Sequence, residues 1–323
     1  MLYRTEVVIS EKRIISITEV FTMTNVLRIL AGLGILLNAV LVFRKTKAIR
    51  ATEDGAEKWA EGKKHAAYNT LVGAVANFFD VFGIGAFATT SAAFKLGKSV
   101  RDGDIPGTMT VGDTIPVCIE AMLFAGLAGV DGLTLGVLIV AAVAGAYAGS
   151  SLVTKLNIQG VRLMMGVGMI ILGVMMALRV FAVGPFGLNG DGLSLRGGGL
   201  VIAAFVMVIL GILMNIGVGL YAPCMALCCG LGMSVTATLP IVMGASALLM
   251  AYGNGPQFIR SGKFDMVAVL TQVIGGTAGV LVAYFLVKSL DVKILTMIVA
   301  AVVLVTGVLF FRDYKNGKPR RRS

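Results

Sequence analysis

Gly197 to Ile259 reads GGGLVIAAFVMVILGILMNIGVGLYAPCMALCCGLGMSVTATLPIVMGASALLMAYGNGPQFI, 63 residues without one Asp, Glu, Lys or Arg. A helix rises about 1.5 Å per residue, and a bilayer span takes about 20 apolar residues. The stretch therefore has room for about three passages. Leu133–Thr154, Met266–Val287 and Ile294–Phe311 are uncharged in the same way. Across all 323 residues, 57% are hydrophobic and 14% charged. A soluble domain carries about a quarter charged residues. The chain reads as an all-α polytopic membrane protein.

Inside the quoted stretch, Gly217-Val218-Gly219-Leu220-Tyr221-Ala222 repeats an earlier pattern, Gly83-Ile84-Gly85-Ala86-Phe87-Ala88, at a separation of 134 residues. Each run continues alike, to Leu96-Gly97-Lys98-Ser99-Val100 and to Leu231-Gly232-Met233-Ser234-Val235. Pro106 and Pro240 share the same offset, and Ala148-Gly149 matches Ala278-Gly279 further on. The sequence thus predicts an internal duplication. Each half has one glycine-broken segment, Ala66–Leu96 or Gly198–Leu231, followed by three ordinary helices.

A broken segment could cross once or fold back as a re-entrant hairpin. Basic residues mark cytoplasmic loops, and they favour the hairpin. With 44–64 inside, two hairpins also put 97–104, 155–162, 256–263 and the tail inside. The loops 129–132 and 232–237, which have no Lys or Arg, then fall outside. Lys288 and Lys293 are the exceptions. Three crossings per half is an odd number, so the second half should be inverted, as in many secondary transporters. The expected division is 1–65 (an interfacial segment, a first transmembrane helix and a basic loop), 66–183 (first repeat), 184–197 (inter-repeat loop), 198–311 (second repeat) and 312–323 (basic cytoplasmic tail). Glu6, Glu11, Lys12, Arg13 and Glu19 interrupt the first twenty residues, which therefore read as an interfacial helix rather than a signal peptide.

The duplicated Gly-x-Gly turns, Tyr221-Ala222-Pro223 and the run Val161-Arg162-Leu163-Met164-Met165-Gly166 resemble the TauE/SafE family of membrane transporters over roughly 66–311. The resemblance implies export or uptake of sulfite, sulfonates or related organosulfur anions. The first turn here, Phe82-Gly83-Ile84-Gly85-Ala86, lacks the longer glycine run of many relatives. The basic stretch ahead of it is an extension.

Half-helices starting after Gly85 and Gly219 would aim their N-termini at one place. Free amides and the positive end of the helix dipole can hold an anion there. Gly83, Gly85, Gly217 and Gly219 are thus candidate substrate-binding positions, with Asn77 and Asn215 before the turns and Thr89, Thr90, Ser91 and Tyr221 after them. Thr108, Thr110 and Thr114 in the first half, and Thr236, Thr238 and Ser246 in the second, extend the hydroxyl-rich region. Capping or interhelical bonding is the competing role for all of these. Asp80, Asp113 and Glu120 fall in apolar segments, where an acid costs at least about 2.5 kcal/mol. They are candidate proton-coupling groups, although Asp80 could equally cap the broken helix. Lys95, Lys98, Arg162 and Arg260 could draw anions in or anchor the headgroup boundary. Asn254 and Gln257 could line a vestibule.

No Walker-type phosphate loop occurs, so transport would run on a gradient or passively. Cys118, Cys224, Cys228 and Cys229 lie in apolar stretches without metal spacing. Neither a metal nor a cofactor is expected. A secondary transporter of a small anion is the leading reading; an anion channel is second, and a thiol-dependent membrane enzyme a distant third. The expected partners are the anion and the bilayer, with no nucleic acid. The expected setting is the cell membrane, and small-residue faces leave a homodimer open.

Overall fold

The structure is a computed structural model, and it describes residues 2–125, 129–188, 190–286 and 293–317. Lys288 and the tail residues Lys318, Arg320, Arg321 and Arg322 lie outside the described residues. The helices are α1 (Leu2–Arg50), α2 (Glu53–Lys63), α3 (Ala66–Asp80), α4 (Ala86–Gly97), α5 (Ile105–Phe124), α6 (Gly132–Val153) and α7 (Ile158–Val180). They continue as α8 (Gly197–Met214), α9 (Tyr221–Gly230), α10 (Val235–Leu248), α11 (Gly255–Ser261), α12 (Met266–Leu286) and α13 (Lys293–Lys315). Among the described residues there is no strand, and seven helical stretches are long and apolar enough to cross a membrane. The chain is a multi-pass membrane protein. The N-terminal interfacial helix and first span of the sequence reading form one continuous helix, α1. The basic loop contains a further helix, α2, capped where Thr52 Oγ1 accepts the Gly55 amide at 3.1 Å.

Capping side chains start several helices. Asp131 accepts from the Thr134 amide at 2.8 Å, Asn157 from Gly160 at 2.8 Å and Ser234 from Ala237 at 3.2 Å. Each satisfies an amide that has no partner inside the helix. Pro106 sits in the first turn of α5, whereas Pro240 lies inside α10. The two prolines are therefore not equivalent, despite their shared offset. The link from α4 to α5 holds a 3₁₀ turn, Asp102–Asp104, and is longer than the link from α9 to α10, which shifts the register.

The chain stops being helical at 81–85 and at 215–220, and it reverses at both places. Tyr68 in α3 donates its hydroxyl to Ala93 O at 2.9 Å, so α4 runs back beside α3. The end of α9 returns to the segment that precedes α8. There Gly192 N donates to Gly232 O at 3.0 Å and Ser234 N to Gly192 O at 2.8 Å.

Two long interfaces then use one register. A Cβ on Gly275 would strike the Thr70 carbonyl, and one on Gly279 the Ala74 carbonyl, so α12 lies backbone-close and parallel to α3. A Cβ on Gly145 would strike Val208, and one on Gly149 would press on Ile212, so α6 lies in the same way on α8. Thr70 and Val208 are 138 residues apart, as are Ala74 and Ile212; Gly145 and Gly275 are 130 apart, as are Gly149 and Gly279. In contrast, α7 and α13 run antiparallel, with Gly166 against Gly307 and Gly173 against Leu304 and Ala300. The glycine faces α6 and α12 present here are filled by the chain's own helices, which removes them as an argument for a homodimer.

Candidate functional site

The two reversals meet. In the first, Gly83 and Gly85 have φ of 82° and 92°, a left-handed region that side chains avoid. Gly83 also has no room for a Cβ, because the Tyr221 ring from the second reversal would lie 2.6 Å from it. Gly217 turns with φ 92°, and Gly219 stands beside Phe87 of α4. Arg179, at the end of α7, locks the two reversals together. Its guanidinium donates to the Gly83 carbonyl and lies 5.1 Å from the Tyr221 ring centre. In the sequence Arg179 stands in the last turn of an apolar helix. A cation close to the end of an apolar helix reads as a boundary anchor until the helix is seen to pack against the break.

Between the reversals lies a cavity of about 40 Å³. Asp80, Gly85, Glu120, Gly219, Tyr221 and Ser246 line it, together with apolar side chains such as Phe87, Met243 and Met250. The space suits one or two waters. The two helix ends at the cavity differ. Ala86 N donates to Asp80 Oδ1 at 2.9 Å, so the start of α4 is already capped by the protein's own carboxylate. The start of α9 has no side-chain cap. At the α4 end one amide is thus taken and those of Phe87 and Ala88 follow it, while the α9 end offers the amides of Tyr221 and Ala222, Pro223 having none; the positive pole of a helix dipole lies behind each.

The remaining candidates divide. Asp113 is fully buried next to the cavity walls but does not line it. Its Oδ1 accepts from Asn77 Nδ2 at 3.0 Å and from Gln272 Nε2 at 2.7 Å, while its Oδ2 has no partner. Gln272, an isolated polar residue in the run Met266–Leu286, was not singled out from the sequence. Asn215 donates to Ala146 O, Gly211 O and Ile212 O, so it closes α8 and ties it to α6. Thr89 bonds back to Gly85 O and Ala86 O. Thr90 and Ser91 are buried with unpartnered hydroxyls. Thr108 accepts the Asp265 amide at 2.9 Å at the start of α5, and Thr236 is exposed on the first turn of α10. Neither belongs to the cavity, because the hydroxyl-rich starts of α5 and α10 lie far along those helices from Glu120 and Ser246.

Lys95 and Arg162 neither attract anions at a surface nor anchor a headgroup boundary. They are 3% and 0% exposed. Lys95 Nζ lies 2.8 Å from both Asp102 and Asp313, and Arg162 Nε lies 2.8 Å from Asp102. This buried network fastens the end of α4 to the start of α7 and the end of α13. Asn254, in a π-helical stretch Leu249–Asn254 between α10 and α11, is buried with an unpartnered amide. Gln257 donates to Tyr147 O at 3.0 Å. All four cysteines are buried thiols. Among the described residues no group of His, Cys, Asp or Glu could hold a metal ion.

Compared with protein-family models, curated proteins and solved structures, the chain matches none of them.

Proposed function

We propose that the chain is a secondary transporter of a small anion, built as an inverted repeat with two re-entrant hairpins in the cell membrane and its basic tail in the cytoplasm. The observation that carries this reading is the cavity shared by the two chain reversals, with the uncapped start of α9 on one side and Glu120 on the other. The inversion is supported by the shared register of α3–α12 and α8–α6 together with the antiparallel packing of α7 on α13. The choice of a sulfur-containing anion, sulfite or a sulfonate, rests on the TauE/SafE resemblance alone.

The same geometry gives a reason for coupling. At an effective dielectric of about 20, like charges about 5 Å apart repel by about 3 kcal/mol. An anion at the α9 amides would face Asp80 and Glu120 across a cavity with room for only one or two waters, too few to screen the charges. A proton on Glu120 removes its share of that repulsion, so anion and proton bind together. Asp80 remains as the cap of α4. A cavity of about 40 Å³ between paired chain reversals suits a carrier that holds one small ion at a time, rather than an open channel.

The test is uptake of labelled sulfite, sulfonates, thiosulfate and simple carboxylates into proteoliposomes, with and without an imposed pH gradient. Gradient-driven uptake by the natural chain, and gradient-independent exchange by E120Q, are expected. Coupling that survives in E120Q and D80N alike would end the proton mechanism, and binding of none of the anions would end the transport reading.

A further inference from the structure

A second cavity, of about 720 Å³, opens between α1, α2, α5 and α12, away from the helix breaks. Its two ends differ in chemistry. At one end stand Lys47 and Arg50 of α1 and Trp59 of α2, with the Arg50 guanidinium 4.2 Å from the Trp59 ring centre. Neither cation has a carboxylate partner among the described residues. From there the cavity runs along one face of α1 to Asn38, about 18 Å away at helical rise. Its walls on that path are apolar, including Phe43, Ile115 and Leu270.

Thr46 lies one turn inside the charged end. It is 7% exposed, and its hydroxyl has no partner. Thr70, Thr114, Thr154, Thr271 and Thr306 all bond back to the carbonyl four residues earlier. Thr46 does not, which leaves a buried donor turned toward the cavity.

We infer that this groove binds an anionic phospholipid. Its phosphate would sit between Lys47 and Arg50, an ester carbonyl would accept from Thr46, and an acyl chain would lie along Phe43 and Leu270. A soluble phosphate would use the cations but leave the long apolar floor unfilled. A neutral lipid would fill the floor but leave the cations unmatched. Basic pockets between membrane helices favour acidic headgroups for these reasons. The site is independent of the transport reading.

The chain has a single tryptophan, so intrinsic fluorescence reports on Trp59 alone. In vesicles, brominated phosphatidylglycerol is expected to quench Trp59 with at least about fivefold preference over brominated phosphatidylcholine. The double variant K47Q/R50Q should lose that preference. R44Q/K64Q, which removes the same charge outside the groove, should keep it. Equal quenching by the two lipids overturns the proposal. Equal loss in both double variants reduces it to diffuse surface charge and also overturns it, as does reversal of the quenching by millimolar inorganic phosphate.

Discussion

Gly275→Ala and Gly145→Ala test whether the two long interfaces are equivalent. In both cases the new methyl group points at a backbone carbonyl, that of Thr70 for Gly275 and that of Val208 for Gly145. A backbone cannot swing away as a side chain does. Carbon and its neighbours rest about 3.5 Å apart, so each helix pair must separate by more than an ångström. Overpacking of that kind costs about 1–3 kcal/mol, offset by up to about 1 kcal/mol of helix propensity gained over glycine. Gly32→Ala on α1, where a Cβ meets nothing within 4 Å, gains the propensity alone and is the control. Thermal unfolding in detergent, with size-exclusion profiles to confirm that each variant is monodisperse, reads all three. G275A and G145A should fall by similar amounts, about 1–4 °C each for a chain of this size, while G32A holds or rises. Stability in both equal to that of G32A would refute the close packing. A large loss in one and none in the other would refute the equivalence of the halves.

Two further outcomes follow from the ion pairs. Lys95→Met leaves the carboxylates of Asp102 and Asp313 buried with one cation fewer. It should cost about 3–5 kcal/mol, and a measured loss under about 1 kcal/mol would show that the network contributes little. Asp131 is held well below the usual carboxylate range, chiefly by its hydrogen bonds from Arg196 at 2.6 Å. Its contribution is therefore present above the ordinary carboxylate pKa of about 3.9 and fades as pH drops toward the lower folded value. Arg196 is more than half exposed, so the pair is worth at most about 1 kcal/mol. Asp131→Asn keeps the helix cap and loses the ion pair. Its deficit in melting temperature should be equal at pH 7 and pH 5 and smaller at pH 3; a deficit that grows at pH 3 would contradict this account.

The class and the breaks were legible in the chain itself. Uncharged runs of bilayer length admit no soluble fold, and Gly83, Gly85 and Gly217 interrupt helix because they carry positive φ. The roles of the polar residues were not legible. A threonine or asparagine in an apolar helix looks the same whether it closes its own turn, as Thr89 and Asn215 do, or lines a cavity, as Ser246 does. Lys95 and Arg162 looked like boundary cations, since sequence distance hides that Asp313 lies beside both.

Hydrophobic periods and backbone propensity act over a few residues, so the sequence alone determined where helices run, where they stop and that they belong in a membrane. Which carboxylate occupies a helix end, which stays open beside it and which cation locks two distant glycine turns together depend on contacts between segments about a hundred residues apart. Only the packed structure decides these, because burial and partner distance, not residue type, set what a polar group in an apolar interior can do.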